Sequence, residues 1–335
     1  MKLIEKDKIT GETELVDTVI NKDVLRGLQC LPDNYIDMII TSPPYWGLRN
    51  YKVDGQIGQE ESPEKYVETL RSVFSAARRV LKDTGTLWLN LGDTYMSGGS
   101  PSRHFGYADE KNKKGRNIDF HEPQTNKHET IKPKDLVGIP WRVALALQQD
   151  GWYLRSDIIW HKPNAMPESA QDRPTRDHEY IFLFSKNQKY YYDADSIREP
   201  HTSLDDLKRR KNKTYSQNIT RGGTAEQTLG RNRGEFYHPK GRNKRTVWKI
   251  KIKPYPDTHF AVFPKELVRQ CVLAGCPEDG IVLDTFAGSG TTLEVATELN
   301  RRYVGIELNS DYLRLIKKRL GLTTFFADTK EMEKK

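Results

Sequence analysis

The chain has little cysteine and no long apolar run. Its three cysteines, Cys30, Cys271 and Cys276, are odd in number and spread across 335 residues, which excludes both a paired disulfide framework and a close-spaced cysteine metal set. They read as small buried apolar groups, and a reducing cytoplasm is the expected location. No stretch approaches the ~18 apolar residues that span a bilayer, and the mean hydropathy is −0.76, so a membrane partner is not expected. Met1 to Asp7 is charged where a signal peptide carries its apolar stretch. His161, His178 and His259 fit no ligand spacing such as His-x3-His, and no metal is expected.

What is present is charge and a repeated alternation of strands and helices. Lys plus Arg number 54 against 46 for Asp plus Glu, a formal net charge of +8, which is compatible with a polyanionic partner. The length fits one large α/β domain with insertions or an accessory lobe. Val16 to Asn21 reads as a strand, Asp23 to Gln29 as a helix opening, and Ile36 to Thr41 as a buried strand that stops at Pro43-Pro44. Ser62-Pro63-Glu64 starts a helix, with Ser as N-cap and an apolar stripe from Tyr66 to Leu81, and Thr86 to Leu91 supplies the next strand. Leu136 to Asp150 reads as a helix, Trp152 to Trp160 and Glu179 to Ser185 as strands, and Pro264 to Leu273 as a helix. Ile281 to Asp284, Thr291 to Leu299, Tyr303 to Glu307 and Ser310 to Leu320 then alternate strand, helix, strand, helix. Such alternation predicts a parallel sheet with crossover helices.

Two stretches lose all periodicity. Residues 97–132 are rich in Gly, Ser, Asn, Lys and His and read as a surface insertion. Residues 201–245 are the most basic part of the chain, with Lys208-Arg209-Arg210-Lys211 near one end and Gly241-Arg242-Asn243-Lys244-Arg245 at the other. The predicted organisation is a first part over 1–200 carrying the 97–132 insertion, a basic insertion over 201–245, and a last part over 246–335.

Two constellations carry chemistry. The first runs Asp284-Thr285-Phe286-Ala287-Gly288-Ser289-Gly290-Thr291-Thr292 and is followed by the strand closing at Glu307. Glycines let a ligand approach the backbone where a strand feeds a helix, and an acidic residue ending the next strand can accept both hydroxyls of a ribose. The turn lacks the third glycine of a dinucleotide fingerprint, so a nucleoside cofactor without phosphates fits better. The second is Thr41-Ser42-Pro43-Pro44-Tyr45-Trp46, which contains no acid, base or thiol. Its logic is acceptor geometry: two prolines stiffen the loop and aim the Ser42 hydroxyl and the Pro43 carbonyl at an exocyclic amine, while Tyr45 offers a face for stacking. Attack on a sulfonium methyl then needs positioning more than proton abstraction. Other residues take blander readings: Asp93 and Asp37 would be catalytic carboxylates in a different enzyme, but Asp93 ends a strand beside the expected site and orders the substrate loop, and Trp141, Trp152 and Trp160 belong to the core.

On these residues the chain resembles the β class of amino-methylating DNA methyltransferases, in which the catalytic motif precedes the cofactor motif. Thr41 to Trp46 is similar to the family's catalytic motif, Asp284 to Thr292 to its cofactor loop, and Tyr303 to Glu307 to the following acidic strand. Asn21-Lys22-Asp23 resembles the adenine-contacting motif, and His259 to Lys265 the segment on the methionine side of the cofactor.

The resemblance implies a Rossmann-like fold with a seven-stranded, mostly parallel sheet entered in permuted order, in which 1–200 is the first part of the catalytic domain, 201–245 a target-recognition insertion and 246–335 the cofactor-binding part of the catalytic domain. It implies S-adenosyl-L-methionine as cofactor, held by Asp23, Thr41, Phe263, Asp284, Phe286, Ala287, Gly288, Ser289, Gly290, Thr291, Thr292 and Glu307. Ser42, Pro43, Pro44 and Tyr45 are the implied catalytic residues. Double-stranded DNA is the implied substrate, reached by base flipping and contacted by Lys208, Arg209, Arg210, Arg242, Lys244 and Arg245. A cognate restriction endonuclease is the further partner that such modification systems carry. Ser before Pro-Pro favours cytosine N4 as the methylated atom, with adenine N6 the alternative. A nucleic-acid-binding module without catalysis, and an RNA or protein amine methyltransferase, are the rival readings.

Overall fold

A computed structural model describes residues 2–4, 15–48, 53–96, 128–201, 238–252 and 264–322. The chain divides into two compact units: Met1–Tyr192 together with Thr246–Lys335, and Asp193–Arg245.

The first unit is built on one sheet. Its strands are β1 (Lys2–Ile4), β2 (Thr18–Ile20), β3 (Ile36–Thr41), β4 (Leu81–Leu91), β5 (Tyr153–His161), β6 (His178–Ser185), β7 (Val247–Lys249), β8 (Ile281–Asp284) and β9 (Arg302–Ile306). Their spatial order is β1-β2-β9-β8-β3-β4-β6-β5-β7. All neighbours run parallel except β6, which is antiparallel to both β4 and β5. The described residues thus give nine strands where seven are expected. The two extra are three-residue edge strands, β1 and β7, too short for periodicity to reveal.

The helices are α1 (Val24–Gln29), α2 (Pro63–Val80), α3 (Ile139–Gln149), α4 (Lys265–Gly275), α5 (Thr291–Glu298) and α6 (Ser310–Arg319). Helix α2 starts as the sequence predicts, with the Ser62 hydroxyl accepting from the Lys65 amide and Pro63 in the first turn. Its apolar stripe, Tyr66, Leu70, Val73, Phe74, Ala77 and Val80, is buried. These residues join α1 and α3 over Ile39, Leu87, Leu89, Phe182, Leu283 and Val304 on one face of the sheet. Helix α4 covers the opposite face so closely that a Cβ at Gly275 would sit 2.4 Å from Nε1 of Trp88. β3 is apolar on both faces because it is covered on both.

Two expectations need adjustment. Strand β4 begins at Leu81, directly from α2, five residues before Thr86, because Leu81 already pairs with Ile36 across an irregularity in register. Trp152 and Trp160 are core residues, but Trp141 is 38% exposed on α3, edge-on to Tyr180 and Phe182. Asp37 has a structural role, holding Lys82 and the Ile281 amide.

In the second unit, Asp195–Ile197 forms a short 3-10 turn, and Glu199 and Arg242 form an antiparallel bridge. Lys208, Arg209 and Arg210 lie outside the described residues, as does most of the 97–132 insertion.

Candidate active site

The order of strands reverses between β8 and β3: from β8 the chain crosses to β9 on one side, and from β3 to β4 on the other. Ligands in open α/β sheets bind outside the carboxyl ends of strands at such a point. Both chemical constellations stand there. Register pairs Ile39 with Leu283, so Thr41 and Asp284 end adjacent strands. The Thr41 hydroxyl donates to Asp284 Oδ1 at 2.7 Å, the Thr292 hydroxyl to Oδ2 at 2.6 Å, and the Phe286 amide to Oδ1 at 3.1 Å. Burial pushes the Asp284 carboxyl up from its ordinary value, and these hydrogen bonds oppose the shift. Asp284 therefore acts as a clamp between the two loops, with its oxygens turned to protein donors.

A cavity of about 470 Å³ opens beside this clamp. One side is lined by Asp23, Phe286, Ala287, Gly288, Ser289, Thr292 and Glu307, the other by Ser42, Pro43, Pro44 and Tyr45. Thr41 and Gly290, both expected at the cofactor, stand behind the wall: Thr41 is fully buried on Asp284, and Gly290 turns the chain into α5 with φ +82°. Phe263 lies outside the described residues.

Glu307 follows the last residue of β9. Its carboxylate accepts from the Gly288 amide at 2.7 Å and the Asn309 amide at 2.8 Å. Burial pushes its pKa to about 7; the two amides pull it down and the Asp284 charge adds to the rise. Gly288 has φ +50°, and a Cβ added there would meet no atom nearer than 3.9 Å, so it would project into open space by the cavity. A buried carboxylate beside a bare glycine backbone and an aromatic ring fits a nucleoside cofactor. The Ser289 and Thr291 hydroxyls are instead occupied by Arg319 of α6, at 3.2 and 2.7 Å, a brace with no sequence signal. The buried Glu307 carboxylate, the bare Gly288 backbone and Phe286 fit S-adenosylmethionine.

The catalytic loop is held from several directions. The Tyr66 hydroxyl donates to the Pro44 carbonyl at 2.8 Å, the Trp46 indole to Glu60 O at 2.8 Å, and the Gly47 amide to Gly58 O at 2.9 Å. The Ser42 hydroxyl donates to Tyr45 Oη at 3.4 Å, and the single Tyr45 hydroxyl proton goes to Glu179 Oε2 at 2.8 Å, the shorter of two contacts, with Asn90 Oδ1 at 3.2 Å. Burial pushes the Tyr45 phenol well above its ordinary value, and the Glu179 carboxylate pushes the same way. Glu179 is bound through Oε1 to Lys162 Nζ, which lies 4.4 Å over the Trp160 ring.

Asn90, Lys162 and Glu179 line the cavity, and nothing in the sequence predicts them as site residues. They meet because β6 runs antiparallel between β4 and β5, which brings its first residues beside the ends of both neighbours: Leu91 pairs with Tyr180, and Trp160 with Glu179. Asp93 stands apart from them. Its carboxylate accepts from the Thr94, Gly138 and Ile139 amides, which caps α3 and closes the neck of the segment between them.

Among the described residues no cluster of His, Cys, Asp and Glu could hold a metal, and no helix is long and apolar enough to cross a membrane.

The family N6_N4_Mtase, described as a DNA methylase, matches residues 36–318. The chain is 49% identical over 302 residues to the type II methyltransferase M.SmaI of Serratia marcescens, covering 90% of each chain. It is 46% identical over 303 residues to the type II methyltransferase M.Cfr9I of Citrobacter freundii, covering 90% of this chain and 87% of the relative. Among solved structures, the cytosine-N4-specific PvuII DNA methyltransferase superposes with a TM-score of 0.59 at 18% identity, over 93% of this chain and 86% of that one. TTHA0409 of Thermus thermophilus, complexed with S-adenosyl-L-methionine, gives 0.53 at 21% identity, over 91% and 93%. These two likenesses bear out the methyltransferase fold. The site geometry and the relatives agree, and the chain belongs to the N6/N4 DNA methylase family, whose cofactor is S-adenosylmethionine.

Proposed function

We propose that this protein methylates N4 of cytosine at a specific site in duplex DNA, as the modification enzyme of a type II restriction–modification system that includes a cognate endonuclease. The observation that carries the reading is the placement of the Ser42 hydroxyl: it heads a Pro-Pro-Tyr loop on the wall of the cavity that Gly288 and Glu307 line from the cofactor side. S-adenosylmethionine, when bound, supplies an electrophilic sulfonium methyl. Glu307 and the Gly288 backbone would hold its nucleoside, and the Asp284 clamp on Thr41 keeps that half of the cavity in register with the catalytic loop.

The exocyclic amine of a base in a duplex is out of reach of such a cavity, so the base is flipped out at a cost of a few kcal/mol. Stacking against Tyr45 offsets that cost by about 1–3 kcal/mol. Ser42 and the Pro43 carbonyl accept the amine's hydrogens and direct the nitrogen lone pair to the methyl group. A neutral hydroxyl in place of a carboxylate or amide at position 42 favours cytosine over adenine, in agreement with the cytosine-N4 specificity named for the PvuII enzyme.

Lys208, Arg209, Arg210, Arg242, Lys244 and Arg245 are assigned to the DNA backbone and base edges. Within the second unit, Arg242 and Lys244 share Glu199, at 3.0 and 3.9 Å, an arrangement that a DNA phosphate would redistribute. Replacing residues 202–237 by a short Gly-Ser linker tests the recognition role: loss of site selectivity with retained cofactor binding is expected, and unchanged selectivity would move recognition elsewhere. Modification-sensitive sequencing of DNA from cells expressing the protein reads base, position and motif together. Methyl groups confined to cytosines in one motif support the proposal, and methyl groups on adenines overturn it.

A further inference from the structure

The hydrogen bonds along the catalytic wall all point one way. Ser42 donates to Tyr45 at 3.4 Å, and Tyr45 donates to Glu179 at 2.8 Å. A serine hydroxyl has a single proton and two lone pairs. With its proton turned toward Tyr45, Ser42 presents its lone pairs to the cavity. The chain ends on a carboxylate, and Lys162 on its other oxygen compensates the charge. Both side chains of that pair are largely buried, at 15% and 16% exposure. Asn90 donates to the same Glu179 oxygen at 3.1 Å and to the Tyr180 carbonyl at 3.0 Å, which fixes the carboxylate against β4.

We propose that Glu179 is the sink for the proton that the target amine sheds, reached through the hydroxyls of Tyr45 and Ser42. It rests on the reading of Ser42 as the amine's acceptor. As the N–C bond forms and the S–C bond breaks with its electron pair going to sulfur, the nitrogen becomes cationic and one N–H bond must break. Its proton passes to Ser42 Oγ, the serine's own proton to Tyr45 Oη, and the tyrosine's own proton to Glu179 Oε2. Each hydroxyl gains a proton as it loses one, so neither ionises, which suits a phenol that burial keeps protonated. Glu179 ends neutral and Lys162 stays cationic; the proton returns to water once the DNA leaves. Glu179 is thus a positioning residue that acts through Tyr45. The arrangement also explains how a catalytic loop without a carboxylate disposes of a proton: the carboxylate comes from β6, across 134 positions of sequence from Tyr45.

The test compares Glu179→Gln, Tyr45→Phe and their double variant with the unmodified protein. Three quantities are measured: the single-turnover methyl-transfer rate on unmethylated plasmid DNA in H2O and D2O, cofactor binding by calorimetry, and DNA affinity by anisotropy. Each single variant is expected to lose about a hundredfold in rate, the scale of general acid–base assistance, with both affinities within about twofold of the original. The double variant should lose no more than either single one, because both break the same chain of transfers. The solvent isotope effect of the unmodified protein should vanish in all three. A Glu179→Gln variant at the original rate, multiplicative losses in the double variant, or rate losses that track lost DNA affinity would each overturn the relay. Ser42→Ala separates the two readings: if inactive while Glu179→Gln is fully active, only the relay fails; if fully active itself, the acceptor reading of Ser42 fails.

Discussion

The Thr41 hydroxyl donates to the Asp284 carboxylate at 2.7 Å across 243 positions of sequence. The bond joins the last residue of β3, one step before the catalytic loop, to the last residue of β8, where the cofactor loop begins. It sits at the reversal of strand order, where neither loop can move without the other.

Removal of that clamp should therefore cost stability and cofactor binding together. Asp284→Ala leaves the Thr41 and Thr292 hydroxyls and the Phe286 amide without their acceptor, at about 1–3 kcal/mol for a stranded buried group. Chemical denaturation should report at least ~2 kcal/mol of lost stability, and calorimetry a severe loss of S-adenosylmethionine affinity. Thr41→Val should cost less in both measurements, because Asp284 keeps Thr292 and Phe286. Equal behaviour of the two variants would contradict the clamp.

Glu307 makes cofactor affinity and stability respond to pH in opposite directions. Its pKa rises from the ordinary 4.5 to about 7, so the folded protein holds that proton more tightly than the unfolded chain. The stability tied to this residue is full below about pH 4.5 and is lost as pH climbs through 7. Ribose hydroxyls donate to the ionised form, so affinity for S-adenosylmethionine should fall by up to about tenfold per pH unit below 7. Calorimetry between pH 6 and 8 checks this, and Glu307→Gln should bind weakly with a flattened pH dependence.

Gly92 leaves room for the Tyr45 ring. A Cβ there would lie 2.6 Å from Tyr45 Cε2 and 3.1 Å from Cδ2, so Gly92→Ala must tilt the ring or displace β4's end. Methyl transfer should drop by at least about tenfold, the scale of one lost stacking contact. Cofactor affinity should be unchanged, since a Cβ at Gly92 meets Tyr45 atoms and none of the cofactor loop. A variant with normal turnover would show that the ring position does not matter.

The contrast between these residues shows what could be read from the chain. Ile36 to Thr41 and Ile281 to Asp284 are legible because burial on both faces demands unbroken apolar runs, and the proline and glycine turns after them are conformational requirements. Glu307 is legible because strand, turn, helix and strand fix its distance from Asp284. Asn90, Lys162 and Glu179 are ordinary polar residues until strand order is known: nothing local states that β6 reverses between β4 and β5. Arg319 is hidden for the same reason, since it braces Thr291 on an element distant in sequence; Asp93 is legible as ordering a loop, but not the Gly138 amide that it accepts from. Trp141 misleads because a large aromatic side chain on a helix suggests core, whereas this one packs edge-on over Tyr180 and Phe182 and stays open to solvent.

The methylated product identifies the target atom. Unmethylated DNA is incubated with the purified protein and S-adenosylmethionine carrying an isotopically labelled methyl group, digested to nucleosides and analysed by mass spectrometry. Label in N4-methyldeoxycytidine is the result expected from Ser42 and its acceptor geometry. Label in N6-methyldeoxyadenosine, or no label in DNA despite bound cofactor, would contradict it.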